Sequence, residues 1–210
     1  MQHAAVMIVA FLAVLQFFLL YQWKKAGPKG EGTEALMLKG TATFCCAALA
    51  LYGAWLHQNA GYWLLGAGLI VCTAADVLLA IRFMPGMACF ALGHVCYCIA
   101  YCLLAPPTWL TLIVFIALLI PVCCVIPWAR KHAGKDIAPF IAYGVVLCLM
   151  LSFAARQRMI LLAGAFLFVV SDLLLGYRLV KKVKGKGYDY LCLGCYYLAQ
   201  FLIGASTVIG

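Results

Sequence analysis

Four ionisable residues stand inside long apolar runs: Lys39, Asp76, His94 and Asp172. A carboxylate or ammonium at the centre of a membrane-spanning helix costs about 2.5–3.5 kcal/mol on insertion scales, so such residues are functional candidates by default. Two carboxyls and an imidazole are groups for moving protons. Where two acids lie close together in a low-dielectric site, one keeps its proton, and the pair then supplies an acid and an anion. The same residue types also build proton relays in transporters. Tyr97, Tyr101, Tyr196, Tyr197 and Gln200 bring hydroxyl and amide groups to the same apolar runs.

Each of these residues has a plainer reading. Lys39, near the start of its run, can snorkel to the headgroups. His94 can be a satisfied hydrogen-bonder between helices. The two aspartates can pair with Lys39 and His94 for structure alone. The tyrosines are in part packing and interface residues.

The elements that must position these groups are membrane helices. Of 210 residues, 68% are hydrophobic and 10% charged, against about 45–50% and about 25% in a soluble domain. The apolar residues come in runs near the roughly 20 needed to cross a bilayer. Eight spans are expected, near 4–23, 36–56, 62–83, 86–104, 109–128, 137–153, 160–180 and 188–209. They make residues 1–210 a single transmembrane domain, an all-α polytopic helix bundle. The breaks carry turn residues: Gly27-Pro28, Asn59-Ala60-Gly61, Met84-Pro85-Gly86, Pro106-Pro107 and Gly185-Lys186-Gly187. Pro121 lies inside the fifth span and is expected to kink it. The first span has no Lys or Arg before it and Lys24 and Lys25 after it, the reverse of a cleavable signal peptide.

The net charge of +9 does not point to nucleic acid, because the cations cluster in short loops between spans. One alternate set of loops holds Lys24, Lys25, Lys29, Arg82, Arg130, Lys131, Lys135, Arg178, Lys181, Lys182, Lys184 and Lys186; the other holds Arg156 and Arg158. The positive-inside rule then puts the basic loops in the cytoplasm and both termini outside, in a cell membrane whose bilayer is the protein's main partner. All 12 cysteines fall in apolar runs, where Cys behaves as a small hydrophobe. Cys192 and Cys195 have zinc-like spacing but no second pair in a loop, and His94 is the one histidine well inside a span. No metal and no cofactor are expected.

The chain also echoes itself. Gly68, Asp76 and Arg82 recur as Gly164, Asp172 and Arg178, with Gly eight residues before and Arg six residues after each Asp. More weakly, Leu92-Gly93-His94 is matched by Leu193-Gly194-Cys195. An offset of four spans makes two parallel four-helix repeats, related by an axis along the membrane normal. The alternative is a chance coincidence of Asp and Arg. At about 1.5 Å per residue both acids lie roughly 9 Å inside, His94 roughly 12 Å, Tyr197 and Gln200 roughly 14–18 Å and Lys39 about 5 Å. His94, Tyr97 and Tyr101 share a helix face, as do Tyr197, Gln200 and Gly204. Small residues flank each Asp and let another helix approach. These placements predict a polar cavity open toward the cytoplasm, with the two carboxylates as its main charges.

At these residues the chain resembles the YhhN family, the lysoplasmalogenase-like membrane proteins. The likeness lies in Leu38-Lys39-Gly40-Thr41, Ala75-Asp76-Val77-Leu78-Leu79, the Phe90–Tyr97 segment around His94, and Ser171-Asp172 followed by Tyr196-Tyr197-Leu198-Ala199-Gln200. Gly40 stands where the family usually has Pro, and Ala75 where it usually has Gly; neither departure removes a polar group. The resemblance implies hydrolysis of the vinyl-ether bond of a lysophospholipid, a lysoplasmalogen, to a fatty aldehyde and a glycerophospho-alcohol. Asp76 and Asp172 would then be the catalytic pair, meeting an oxocarbenium ion as glycosidase carboxyls do. Lys39 would hold the lipid phosphate, with His94, Tyr97, Tyr197 and Gln200 in support. A proton-coupled transporter of a small molecule or lipid is the alternative, and a binding or scaffold protein without chemistry is a third. All the polar groups are expected in the cytoplasmic half, which suits an enzyme fed from one leaflet better than a transporter.

Overall fold

A computed structural model describes residues 2–27, 32–133, 137–181 and 185–210. Pro28, Lys29, Lys135, Lys182 and Lys184, which entered the loop reading above, lie outside the described residues. The described residues form eight helices: α1 (Gln2–Lys25), α2 (Thr33–His57), α3 (Ala60–Ile81), α4 (Phe83–Leu104), α5 (Trp109–Ala133), α6 (Ala138–Ala154), α7 (Met159–Lys181) and α8 (Lys186–Ile209). Seven are long and apolar enough to cross a membrane, and α6, with 17 residues, is shorter. The architecture is therefore an all-α polytopic bundle. Unpaired backbone groups are costly in hydrocarbon, and a helix satisfies its own.

Most helix ends differ from the sequence reading by one to three residues and the end of α5 by five, and two of the differences bear on the site. Met84-Pro85-Gly86 is not a loop: α4 begins at Phe83, and Arg82 alone separates it from α3. Proline is tolerated there because the amides of a first turn have no helical acceptor in any case. Helix α2 begins at Thr33, three residues before the expected start, so Lys39 lies six residues inside it. That is about 9 Å rather than 5 Å, level with the acids. Pro121 and Pro127 both lie within α5.

In cross-section α2, α3, α4, α6, α7 and α8 each pack on the next, and α8 packs back on α2, closing a ring of six. Helices α1 and α5 lie outside it, α1 against α2 and α8, α5 against α6 and α7. They are the least buried of the membrane-length helices. The four-helix echo is visible in this plan. As α2 packs on α3 and α8, so its counterpart α6 packs on α7 and α4. The repeated glycines act alike: a Cβ on Gly68 would lie 2.5 Å from Tyr97 of α4, and one on Gly164 would lie 2.9 Å from Ile203 of α8. Each glycine lets the following helix of its own half approach.

The cationic ends of α1 and α7 meet the starts of α2 and α8 at one end of the bundle. Asp189 at the start of α8 pairs with Arg178 of α7 and, at 3.3 Å, with Lys25 of α1, while Lys24 pairs with Glu34 at the start of α2. At the opposite end the Gln157 amide donates to the Tyr101 carbonyl at 2.9 Å, and the His57 ring lies 3.4 Å from the Val208 carbonyl.

Candidate functional site

The polar residues singled out in the sequence meet inside the ring, hydrogen-bonded in two groups, one around each acid. The first group joins α2, α3 and α8 around Asp76. Lys39 is directed inward and sets its Nζ 3.4 Å from Asp76 Oδ1 and 3.3 Å from the Asp76 carbonyl. Thr43, one turn on from Lys39, donates its hydroxyl to Asp76 Oδ2 at 2.5 Å. Tyr196 donates to the same oxygen at 2.7 Å. Behind Tyr196 the network continues: Gln200 Nε2 donates to the Tyr196 hydroxyl at 3.0 Å, and the Tyr97 hydroxyl donates to Gln200 Oε1 at 3.0 Å. Asp76 is 1% exposed and Lys39 8%, which leaves Lys39 facing neither water nor headgroups. Its charge lies against Asp76. Tyr197 stands apart from the acids; its hydroxyl donates to the Lys39 carbonyl at 3.3 Å, and its ring packs on Phe18 of α1.

The second group joins α4, α6 and α7 around Asp172. Tyr143 of α6 donates to Asp172 Oδ2 at 2.5 Å. Among the described residues no cation pairs with Asp172. The arrangement repeats that at Asp76: α2 supplies the hydroxyl of Thr43 to the acid on α3, and its counterpart α6 supplies that of Tyr143 to the acid on α7. His94 of α4 completes the group, with its ring 5.7 Å from Tyr143 and 4.5 Å from Phe168, one turn before Asp172. Phe168 also meets Tyr196, at 5.4 Å, so these two rings connect the groups.

The two acids thus sit in different electrostatic settings. Asp76 accepts from an ammonium and two hydroxyls, and hydrogen bonds to the charged form favour a carboxylate. Among the described residues Asp172 has one hydroxyl donor and no cation, a setting that suits a neutral carboxyl. Access differs as well. Within α7 the buried positions end at Ser171, and within α6 they begin at Leu147. Asp172 and Tyr143 are therefore partly exposed, at the basic end of the α6–α7 seam, while Asp76 is sealed.

Sequence reasoning did not single out Thr43 and Tyr143. Thr43 carried a signal, being one turn from Lys39 on the same helix face. Tyr143 carried none, since nothing in α6 distinguishes it from an interface tyrosine. Tyr196 was noted only as an amphipathic neighbour. Among the described residues no three of His, Cys, Asp and Glu gather as a metal site would require.

Comparison with known proteins adds two findings. The model of the YhhN family matches residues 34–207. The chain is also 30% identical, over 182 residues, to the human protein named lysoplasmalogenase TMEM86B, a match that covers 78% of this chain and 73% of that protein. No solved structure matches the chain.

Proposed function

The chain belongs to the YhhN family, and from that premise we propose that it is a membrane hydrolase that cleaves the vinyl-ether bond of lysoplasmalogens. The products are a fatty aldehyde and a glycerophospho-alcohol. The observation that carries the mechanism is the contrast between the two acids: among the described residues Asp76 is held by Lys39, Thr43 and Tyr196, and Asp172 by Tyr143 alone.

Hydrolysis of a vinyl ether starts with a proton placed on the outer alkenyl carbon. Asp172 is the donor in this reading, because it is the acid with no cation among the described residues and the one at the partly exposed seam. The proton leaves its carboxyl, the carbon–carbon double bond becomes single, and the adjacent carbon becomes an oxocarbenium ion. The Asp172 carboxylate then faces that cation as its counter-ion and keeps the hydrogen bond from Tyr143. Water adds to the cationic carbon and gives a proton to the Asp172 carboxylate, which forms a neutral hemiacetal and restores the acid. Breakdown of the hemiacetal moves its hydroxyl proton to the leaving glycerol oxygen and releases the aldehyde, so the enzyme ends as it began. Asp76 is the fixed anion. Its pairing with Lys39 makes that group neutral overall, so it orders Tyr196 and the helices more than it attracts the oxocarbenium ion.

The same reading places the basic end of the bundle in the cytoplasm and feeds the seam from the inner leaflet, as the loop cations favour. The test is a product assay. Purified protein in detergent is given 1-alkenyl-glycero-3-phosphocholine and the matched 1-acyl lipid. Aldehyde release from the alkenyl lipid alone is the expected result. No aldehyde, or release of fatty acid from the acyl lipid instead, overturns the reading.

A further inference from the structure

His94 is fully buried, and one of its two ring nitrogens has no partner among the described residues. Nδ1 lies 2.5 Å from the carbonyl oxygen of Phe90, one turn earlier on α4. A carbonyl can only accept, so Nδ1 carries the ring's proton and Nε2 presents a bare lone pair. Among the described residues nothing donates to it. The rings around it are those of Phe168, Tyr143 and Tyr97, at 4.5, 5.7 and 6.0 Å between centroids. The Tyr143 hydroxyl is given to Asp172. An acceptor left unpaired in such surroundings is costly. The cost is recovered when a bound molecule brings a hydroxyl.

We infer that His94 Nε2 accepts a hydrogen bond from the free hydroxyl on the central glycerol carbon of the substrate, and that this contact makes the enzyme selective for lysolipids. The inference rests on the vinyl-ether hydrolase reading, which already takes the lyso form as substrate, and assigns the discrimination against the 2-substituted lipid to one residue. The geometry suits the chemistry. In a 1-alkenyl lysolipid the central hydroxyl is three bonds from the ether oxygen, so a substrate whose alkenyl carbon meets Asp172 carries that hydroxyl along beside it. His94 and Asp172 are linked to the same tyrosine, one by ring contact and one by hydrogen bond. The central hydroxyl is also a donor that every 1-alkenyl lysolipid has whatever its headgroup. Once it is esterified, as in an intact plasmalogen, it has no proton to give, and Nε2 stays unpaired. Sites that hydrogen-bond a substrate hydroxyl discriminate strongly against analogues lacking it, for this reason.

The experiment compares kcat/KM for three probes: 1-alkenyl-glycero-3-phosphocholine, its 2-deoxy analogue and its 2-O-methyl analogue. Each is given to the wild type, His94→Asn and His94→Phe. Asn keeps an amide able to reach the Phe90 carbonyl but is too short to offer an acceptor at the Nε2 position. Phe keeps the ring packing against Phe168 and has no acceptor. The wild type is expected to prefer the hydroxylated lipid by at least about 10²-fold over both analogues. In both variants the preference is expected to fall within about threefold of unity, because the remaining activity no longer senses the hydroxyl. A residue that only packs would lower all three rates together and leave the ratios unchanged. A wild type that does not distinguish the analogues overturns the inference even if neither variant folds. Ratios that persist in a folded variant with a lower kcat overturn it too. A wild type that releases no aldehyde from any probe overturns the hydrolase reading, and the inference with it.

Discussion

Replacing Asp76 with Asn is expected to cost stability as well as activity, whereas the same change at Asp172 should cost activity alone. Lys39 and Asp76 form an ion pair at 3.4 Å with side chains 9% and 2% exposed. Removing one partner of such a buried pair leaves the other charge uncompensated, which typically costs about 3–5 kcal/mol. Asn at 76 can still accept from Thr43 and Tyr196, so the loss falls on the Lys39 contact. Lys39 sits about 9 Å inside α2 and has no second carboxylate among its described partners. Replacing both residues, as in Lys39→Met with Asp76→Asn, removes the stranded charge. Exchange of a buried ion pair for packed neutral groups is often neutral or stabilising. The double variant should therefore be more stable than Asp76→Asn by about 2 kcal/mol or more, with the coupling read from the full double-mutant cycle. Equilibrium unfolding in mixed detergent micelles, followed by tryptophan fluorescence, measures all four proteins. Asp76→Asn unfolding within about 0.5 kcal/mol of wild type, or a double variant equal to the sum of the singles, would refute the view that Lys39 is held by Asp76.

The remaining predictions concern the acid, its donor, the topology and metals. Asp172→Asn should fold normally and lose at least about 10²-fold in kcat, the low end for a general acid; aldehyde release by a purified, monodisperse variant checks it. Tyr143→Phe should lower kcat by about 10- to 100-fold, because a hydrogen bond to a carboxylate is worth roughly 1.5–3 kcal/mol and forms fully only once Asp172 has lost its proton; KM should change little. A reporter active only in the cytoplasm, fused after Gly210, should stay silent, and strong signal there would reverse the proposed orientation. Extensive chelation should leave aldehyde release unchanged; loss of activity restored by zinc would call for a metal site that these residues do not explain.

The sequence by itself determined the class of protein. Apolar runs of membrane length leave one solvent, and in that solvent the backbone has to form helices, so the element count and most boundaries were legible without coordinates. Lys39, Asp76, His94 and Asp172 were legible for the same reason: a charged or titratable side chain in hydrocarbon is conspicuous in one dimension. The repeat of Gly and Asp was equally plain, and it appears in the packing as two glycines serving two equivalent seams. Pairings were not legible. Whether Lys39 points to the headgroups or to Asp76 depends on where α3 stands relative to α2, and a three-residue error in the start of α2 was enough to misjudge its depth. Tyr143 acquires meaning only because the ring brings α6 against α7 and its hydroxyl to Asp172. The unequal settings of the two acids, nearly identical in sequence context, are likewise a tertiary property. Helical periodicity says which residues share a face, but the protonation preferred by a buried carboxyl is set by donors from other helices. Those donors are assembled by packing across segments up to 120 residues apart, as Asp76 and Tyr196 are.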